Sequence, residues 1–179
     1  MTTINRGYRG GCPAPITNAH NAGGLMKGNE QVIDKLNQLL AEELTAINQY
    51  MVHSEMDEDW GYSKLHESVE KRAFTEMKHA EKLIERILYL EGSPIVSNLN
   101  KIHIGPEVTK QHQSDLGLEK DAVKHYNEAI AMAAEKGDNG TRELLTEILE
   151  QEEAHIDDLE ARLDQIQQMG IQNYLSQQV

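Results

Sequence analysis

Two short motifs carry most of the chemistry available to this chain: Glu76-Met77-Lys78-His79 and Glu152-Glu153-Ala154-His155. On a helix, a carboxylate and an imidazole three residues apart project from one face, where both can close on the same metal ion. The motif alone is weak evidence, because 21 Glu and 8 His in 179 residues supply roughly one Glu-x-x-His by chance. Placement says more. Glu43 stands 33 residues before Glu76, and Glu119 stands 33 before Glu152, so the second half repeats the first at a shift of 76 residues. Four segments each offer a carboxylate and two add a histidine, which makes Glu43, Glu76, His79, Glu119, Glu152 and His155 the candidate metal ligands.

Four carboxylates cannot share a buried site unless they are protonated or neutralised, and two divalent or trivalent ions supply the opposing charge. Oxygen ligands with two imidazoles suit iron or manganese, and the lack of thiolates argues against structural zinc. The pattern therefore asks for a dinuclear centre, with redox chemistry if the metal is iron.

Such a centre needs four long helices to position it. From about Asn29 to Glu58, Val32, Leu36, Leu39, Leu40, Leu44, Ile47 and Met51 recur at helical spacing, and Glu43 and Tyr50 fall on the same inward stripe. A carboxylate within an apolar stripe is costly unless paired or metal-bound. From about Gly61 to Glu91 the stripe is Tyr62, Leu65, Val69, Ala73, Ala80, Leu83, Ile87 and Leu90, with Glu76 and His79 inside it. Met77 lies about 100° round that helix and joins Phe74, Ile84 and Leu88 in a second apolar strip, of the kind that meets another subunit. Periodicity alone makes Met77 interface packing. A third helix is predicted over about Asp115 to Lys136, with Glu119 near its start, and a fourth over about Thr141 to Gln168, with Glu152 and His155 in mid-stripe. Gly170 ends it, and Ile171 to Leu175 suits one short turn of a fifth. Between the second and third helices runs a connection of about twenty residues, the length a bundle needs for one end-to-end crossover when its helices are roughly 45 Å long. The expected fold is all-α, a four-helix bundle with one long crossover and a short C-terminal helix.

Composition narrows the class. Aromatic content is 4% and only 4 prolines interrupt the chain, which favours helix over sheet. A net charge of −13 argues against nucleic-acid binding and fits a protein that attracts cations. Nothing in the chain reads as a membrane span. The single cysteine, Cys12, excludes an internal disulfide and points to a reducing, cytoplasmic setting. Residues 1–25, rich in glycine and without an acidic residue, are expected to form an irregular N-terminal extension. Arg6 and Arg9 give this stretch the charge of a transit segment, but it lacks the apolar run of a secretory signal. Residues 26–179 are read as one bundle domain.

Across that domain the chain closely resembles the bacterioferritins, the haem-containing branch of the ferritins. The runs that carry the resemblance are Met26-Lys27-Gly28, Ala46-Ile47-Asn48-Gln49-Tyr50, Glu76-Met77-Lys78-His79-Ala80, Ile84-Glu85-Arg86-Ile87-Leu88, Glu153-Ala154-His155-Ile156-Asp157 and Met169-Gly170-Ile171-Gln172-Asn173-Tyr174-Leu175. One Glu from each of two helices and Glu-x-x-His from the other two is the known ligand pattern of ferritin-like di-metal proteins. The resemblance implies a di-iron ferroxidase centre made by the six candidate ligands, with Glu76 and Glu152 bridging and Tyr50 close by. It implies that Met77 supplies one axial ligand to a haem b, the Met77 of a two-fold-related subunit supplying the other. It further implies a homo-oligomeric shell of 24 subunits built from two-fold dimers, Fe(II) oxidation by oxygen or peroxide, storage of the ferric product, and a ferredoxin-type reductant for iron release. Lys71 and Thr75 stand where well-known members place a His and an Asp that bind an additional iron, so an inner-surface iron site does not carry over. The N-terminal extension has no counterpart from which a function could be transferred. Two other readings stay open: a small soluble di-iron or di-manganese oxidase or peroxide-consuming enzyme without mineral, and a haem-binding dimer whose carboxylates only pair with lysines.

Overall fold

Capping side chains open three of the five helices in this computed structural model, which describes residues 27–179. The expected N-terminal extension with Cys12, and the transit-segment comparison made for it, lie outside the described residues. Asn29 accepts the Gln31 backbone N–H at 2.9 Å and opens α1 (Glu30–Asp59). A turn at Gly61, with φ +84°, leads into α2 (Ser63–Tyr89). Glu107 accepts the Thr109 and Lys110 N–H groups, each at 3.0 Å, to open α3 (Val108–Glu135). A second turn at Gly137, φ +72°, precedes α4 (Asn139–Met169), capped by Asp138 on Thr141 N at 3.0 Å. Gly170 separates α4 from the short α5 (Ile171–Ser176). Gly61 and Gly137 are 76 residues apart and share a left-handed backbone that a Cβ disfavours. The internal repeat therefore extends to the turns of the two hairpins.

α1 packs along α2, α3 along α4, and the hairpins meet through α1 and α3. The result is the expected four-helix bundle with a short fifth helix. Val32, Leu36, Leu39, Leu40, Leu83, Ile87, Leu145 and Ile148 form the centre of the main core. Each such buried aliphatic side chain contributes on the order of 2 kcal/mol, which holds the four helices in register around the ligands.

Two expectations need correction. α3 starts at Val108, seven residues before the predicted Asp115. Its first turns bury Gln111, His112 and Asp115, polar residues that leave no apolar stripe to read. Met51, placed on the inward stripe of α1, is 56% exposed. Beyond Ile47 the buried face of α1 passes to Gln49, Tyr50, His53 and Asp57, and Met51 falls one residue round from it.

The same polar face holds the crossover, Leu90 to Glu107. Backbone N–H groups of Ile95, Asn100, His103 and Gly105 donate in turn to Asn37 Oδ1, Thr45 Oγ1, Gln49 Oε1 and His53 Nε2, at 2.7 to 3.0 Å. The acceptors follow one another along α1 at multiples of four residues, so one helix face acts as a rail for an otherwise irregular strand of chain.

Candidate metal centre

The bundle delivers all six sequence-predicted ligands to one place. Glu43 comes from α1, Glu76 and His79 from α2, Glu119 from α3, and Glu152 and His155 from α4. One ligand atom each from Glu43, Glu76, His79 and Glu152 lie within 4.8 Å of one another, and the same holds for Glu76, Glu119, Glu152 and His155. Glu76 and Glu152 belong to both groups. The imidazole centroids of His79 and His155 are 6.4 Å apart. All four carboxylates and His79 are buried, while His155 is half-buried.

Each imidazole aims Nδ1 at the acids. His79 Nδ1 lies 2.8 Å from both Glu76 Oε2 and Glu152 Oε1 and 3.6 Å from Glu43 Oε2. His155 Nδ1 lies 3.2 Å from Glu76 Oε1, 3.3 Å from Glu152 Oε2 and 3.5 Å from Glu119 Oε1. Among the described residues, no lysine or arginine pairs with any of the four carboxylates. Both Glu76 oxygens, Glu152 Oε1 and His79 Nδ1 are buried without a hydrogen-bond partner. Buried polar atoms are rarely left so, and a pair of cations would satisfy them together.

Second contacts suit the same purpose. His79 Nε2 sits 3.2 Å from Gln151 Oε1, whose amide nitrogen donates to Glu147 O at 3.3 Å. The amide oxygen thus faces the ring, places the imidazole proton on Nε2 and frees Nδ1 for a cation. Tyr50 donates to Glu119, and Tyr126 donates to Glu43. Arg72 lies 5.7 Å from the Tyr50 ring centroid and is tied to Asp158 at 2.6 Å.

The charge balance is carried by protons where cations are not bound. Burial alone would lower the His79 imidazole, but the carboxylates of Glu152, Glu43 and Glu76 push it up to about 12. His155 likewise rises against burial to about 11, through Glu119, Glu152 and Glu76. Burial holds Glu43 well above its ordinary range and raises Glu119 to about 8. Glu152, despite burial, is held down at about 2 by His155 and His79. Burial also keeps the Tyr50 and Tyr126 phenols protonated, so both act as donors.

Met77 does not join this cluster. It is 44% exposed on the outer side of α2, in a strip with Phe74 and Leu88. Lys71 is exposed and the Thr75 hydroxyl bonds Lys71 O at 3.2 Å, so neither is engaged with the six ligands. Tyr126, Gln151 and Arg72 were not among the predicted site residues. Tyr126 could have been found by applying the 76-residue shift to Tyr50; the other two carry no signal in spacing. A groove of about 590 Å³ between α1, α3 and the crossover contains none of the six ligands, though Glu42 and His125 pair across its wall at 2.8 Å.

Among the described residues no helix is long and apolar enough to cross a membrane. Residues 33–169 match the family model of the ferritin-like domain. The chain is 39% identical over 152 residues to a bacterioferritin of Mycolicibacterium paratuberculosis, covering 85% of this chain and 96% of that one. It is 38% identical over 152 residues to a bacterioferritin of Mycobacterium tuberculosis, with 85% and 96% covered. Against a bacterioferritin of Rhodobacter capsulatus the identity is 40% over 149 residues, 83% and 92% of the two chains. The bundle, its crossover and the extent of these matches place the chain in the ferritin-like family, as a member of the bacterioferritins.

Proposed function

We propose that this protein oxidises Fe(II) at the six-ligand centre and stores the ferric product inside a 24-subunit shell. The observation that carries the reading is that Glu76 and Glu152 are common to two overlapping four-ligand groups, each completed by its own carboxylate and imidazole. Glu43 and His79 would hold one substrate ion, Glu119 and His155 the other, and the two shared carboxylates both. Oxygen-rich ligation with imidazole stabilises Fe(III) over Fe(II), because a harder and more charged ion gains more from carboxylates. Two Fe(II) supply the two electrons that, with two protons, convert one peroxide to two waters or one oxygen to peroxide. Tyr50 holds Glu119 in place. A ferredoxin-type reductant would supply electrons for the reverse step, iron release.

The exposed strip of Phe74, Met77 and Leu88 supports assembly through α2, and an exposed thioether within it supports a haem b shared with the Met77 of a two-fold-related copy. A cytoplasmic setting fits the cysteine usage. The purified protein is expected to take up about two Fe(II) per subunit in a fast phase under air. Glu119→Ala should abolish that phase, read by absorbance of the ferric product, and a fast phase of unchanged amplitude in this variant would contradict the assignment.

A further inference from the structure

The shift of 76 residues that relates Glu43 to Glu119 also relates Tyr50 to Tyr126, and the fold makes the pair reciprocal. Tyr50, in the first half, donates to Glu119 in the second; Tyr126, in the second half, donates to Glu43 in the first. Both side chains are 0% exposed. Glu43 and Glu119 are the carboxylates that belong to one ligand group each, whereas Glu76 and Glu152 belong to both. Each phenol thus touches the acid that distinguishes one half-site from the other, and neither phenol is bonded to a shared carboxylate.

We propose that Tyr126 is a positioning residue of the metal centre, the counterpart of Tyr50, and that each tyrosine sets the affinity of one half-site independently. The Tyr126 hydroxyl occupies Glu43 Oε1 and leaves Oε2, 3.6 Å from His79 Nδ1, to the ion bound on that side. Tyr50 holds Glu119 on the His155 side, but through Oε1, the oxygen that also lies 3.5 Å from His155 Nδ1. A phenylalanine at position 126 keeps the ring in the core but releases Glu43 to rotate, with a buried oxygen that no longer has its donor. Loss of such an outer partner typically weakens metal binding by roughly tenfold to a hundredfold. The inference rests on the dinuclear reading.

Co(II) tests it without any turnover, because its d–d absorbance reports carboxylate and imidazole ligation directly. The full-length, metal-free protein is expected to bind two Co(II) per chain. In Tyr126→Phe one equivalent should weaken by roughly tenfold or more while the other is unchanged. Tyr50→Phe should also weaken one equivalent, and the double variant both. In a His155→Ala background, which keeps the half-site of Glu43, Tyr126→Phe should weaken the remaining ion and Tyr50→Phe should not. The proposal is overturned if Tyr126→Phe leaves both equivalents unchanged, tightens one, or weakens both alike. It is also overturned if far-ultraviolet circular dichroism shows the bundle of the single variant unfolded, since the hydroxyl then serves the fold and not one half-site. A wild-type protein that fails to bind two Co(II) defeats the dinuclear reading and this inference together, an outcome distinct from all the others.

Discussion

His79 and His155 face more carboxylate than they can neutralise, and that imbalance ties the centre to pH. In the metal-free protein Glu119 titrates at about 8 against an ordinary 4.5, and His155 and His79 at about 11 and 12 against 6.5. All three are raised, so the folded state holds more protons than the unfolded one and their stabilisation is complete only below the ordinary values. It is lost as pH climbs through the folded ones. Glu152, lowered to about 2, acts in the opposite sense but only as pH falls below 4.5. The thermal midpoint of the metal-free protein is therefore expected to fall between pH 6.5 and 9. The gain in midpoint on adding Co(II) should grow over the same interval, because the ions displace the protons. Calorimetry at several pH values checks both trends, and a metal-free midpoint that rises with pH contradicts them. At this scale the convergence of the six candidate residues was legible in the sequence, because a costly carboxylate inside an apolar stripe stands out. Tyr126 was reachable only through the 76-residue shift from Tyr50, and Gln151 not at all, because a glutamine within a helix is ordinary until a partner across the bundle is known.

Helices were legible wherever their buried face is apolar, and their limits blurred where it is polar. α2 and α4 lie close to their predicted spans, whereas the first turns of α3 escaped because Gln111, His112 and Asp115 are polar residues on its buried face. The crossover is held by side-chain acceptors on α1, and Gln49 is central to it. Its amide oxygen accepts from His103 N at 2.9 Å, and its nitrogen donates to Asp115 Oδ1 at 2.8 Å. Asp115 Oδ1 also lies 2.9 Å from His53 Nδ1, and His53 Nε2 in turn accepts from Gly105. Gln49→Leu removes both functions and leaves a part-buried N–H and a buried carboxylate short of a partner, a loss of about 1 to 2 kcal/mol. Urea unfolding should show it, accompanied by faster hydrogen exchange at His103. Exchange unchanged at that amide would mean that the crossover is held elsewhere.

For the whole molecule, the strip of Phe74, Met77 and Leu88 on α2, each at least 44% exposed, is apolar surface that a single chain leaves in water. If it is buried between two-fold-related copies, a charge placed there should prevent assembly. Native mass spectrometry is expected to give about 485 kDa for 24 chains, and a far smaller species for Phe74→Asp. An unchanged large assembly in that variant would place the interface on another face.

By itself the sequence determined the helical class and the presence of a crossover and singled out the six residues that converge at one place, because helical periodicity and burial cost are written in residue order. Only the tertiary structure decided which carboxylates the two ligand groups share, which phenol bonds which acid, and how polar side chains of α1 seat the crossover. Those relations join residues far apart in the chain across the bundle axis, and no local pattern encodes a distance between two helices.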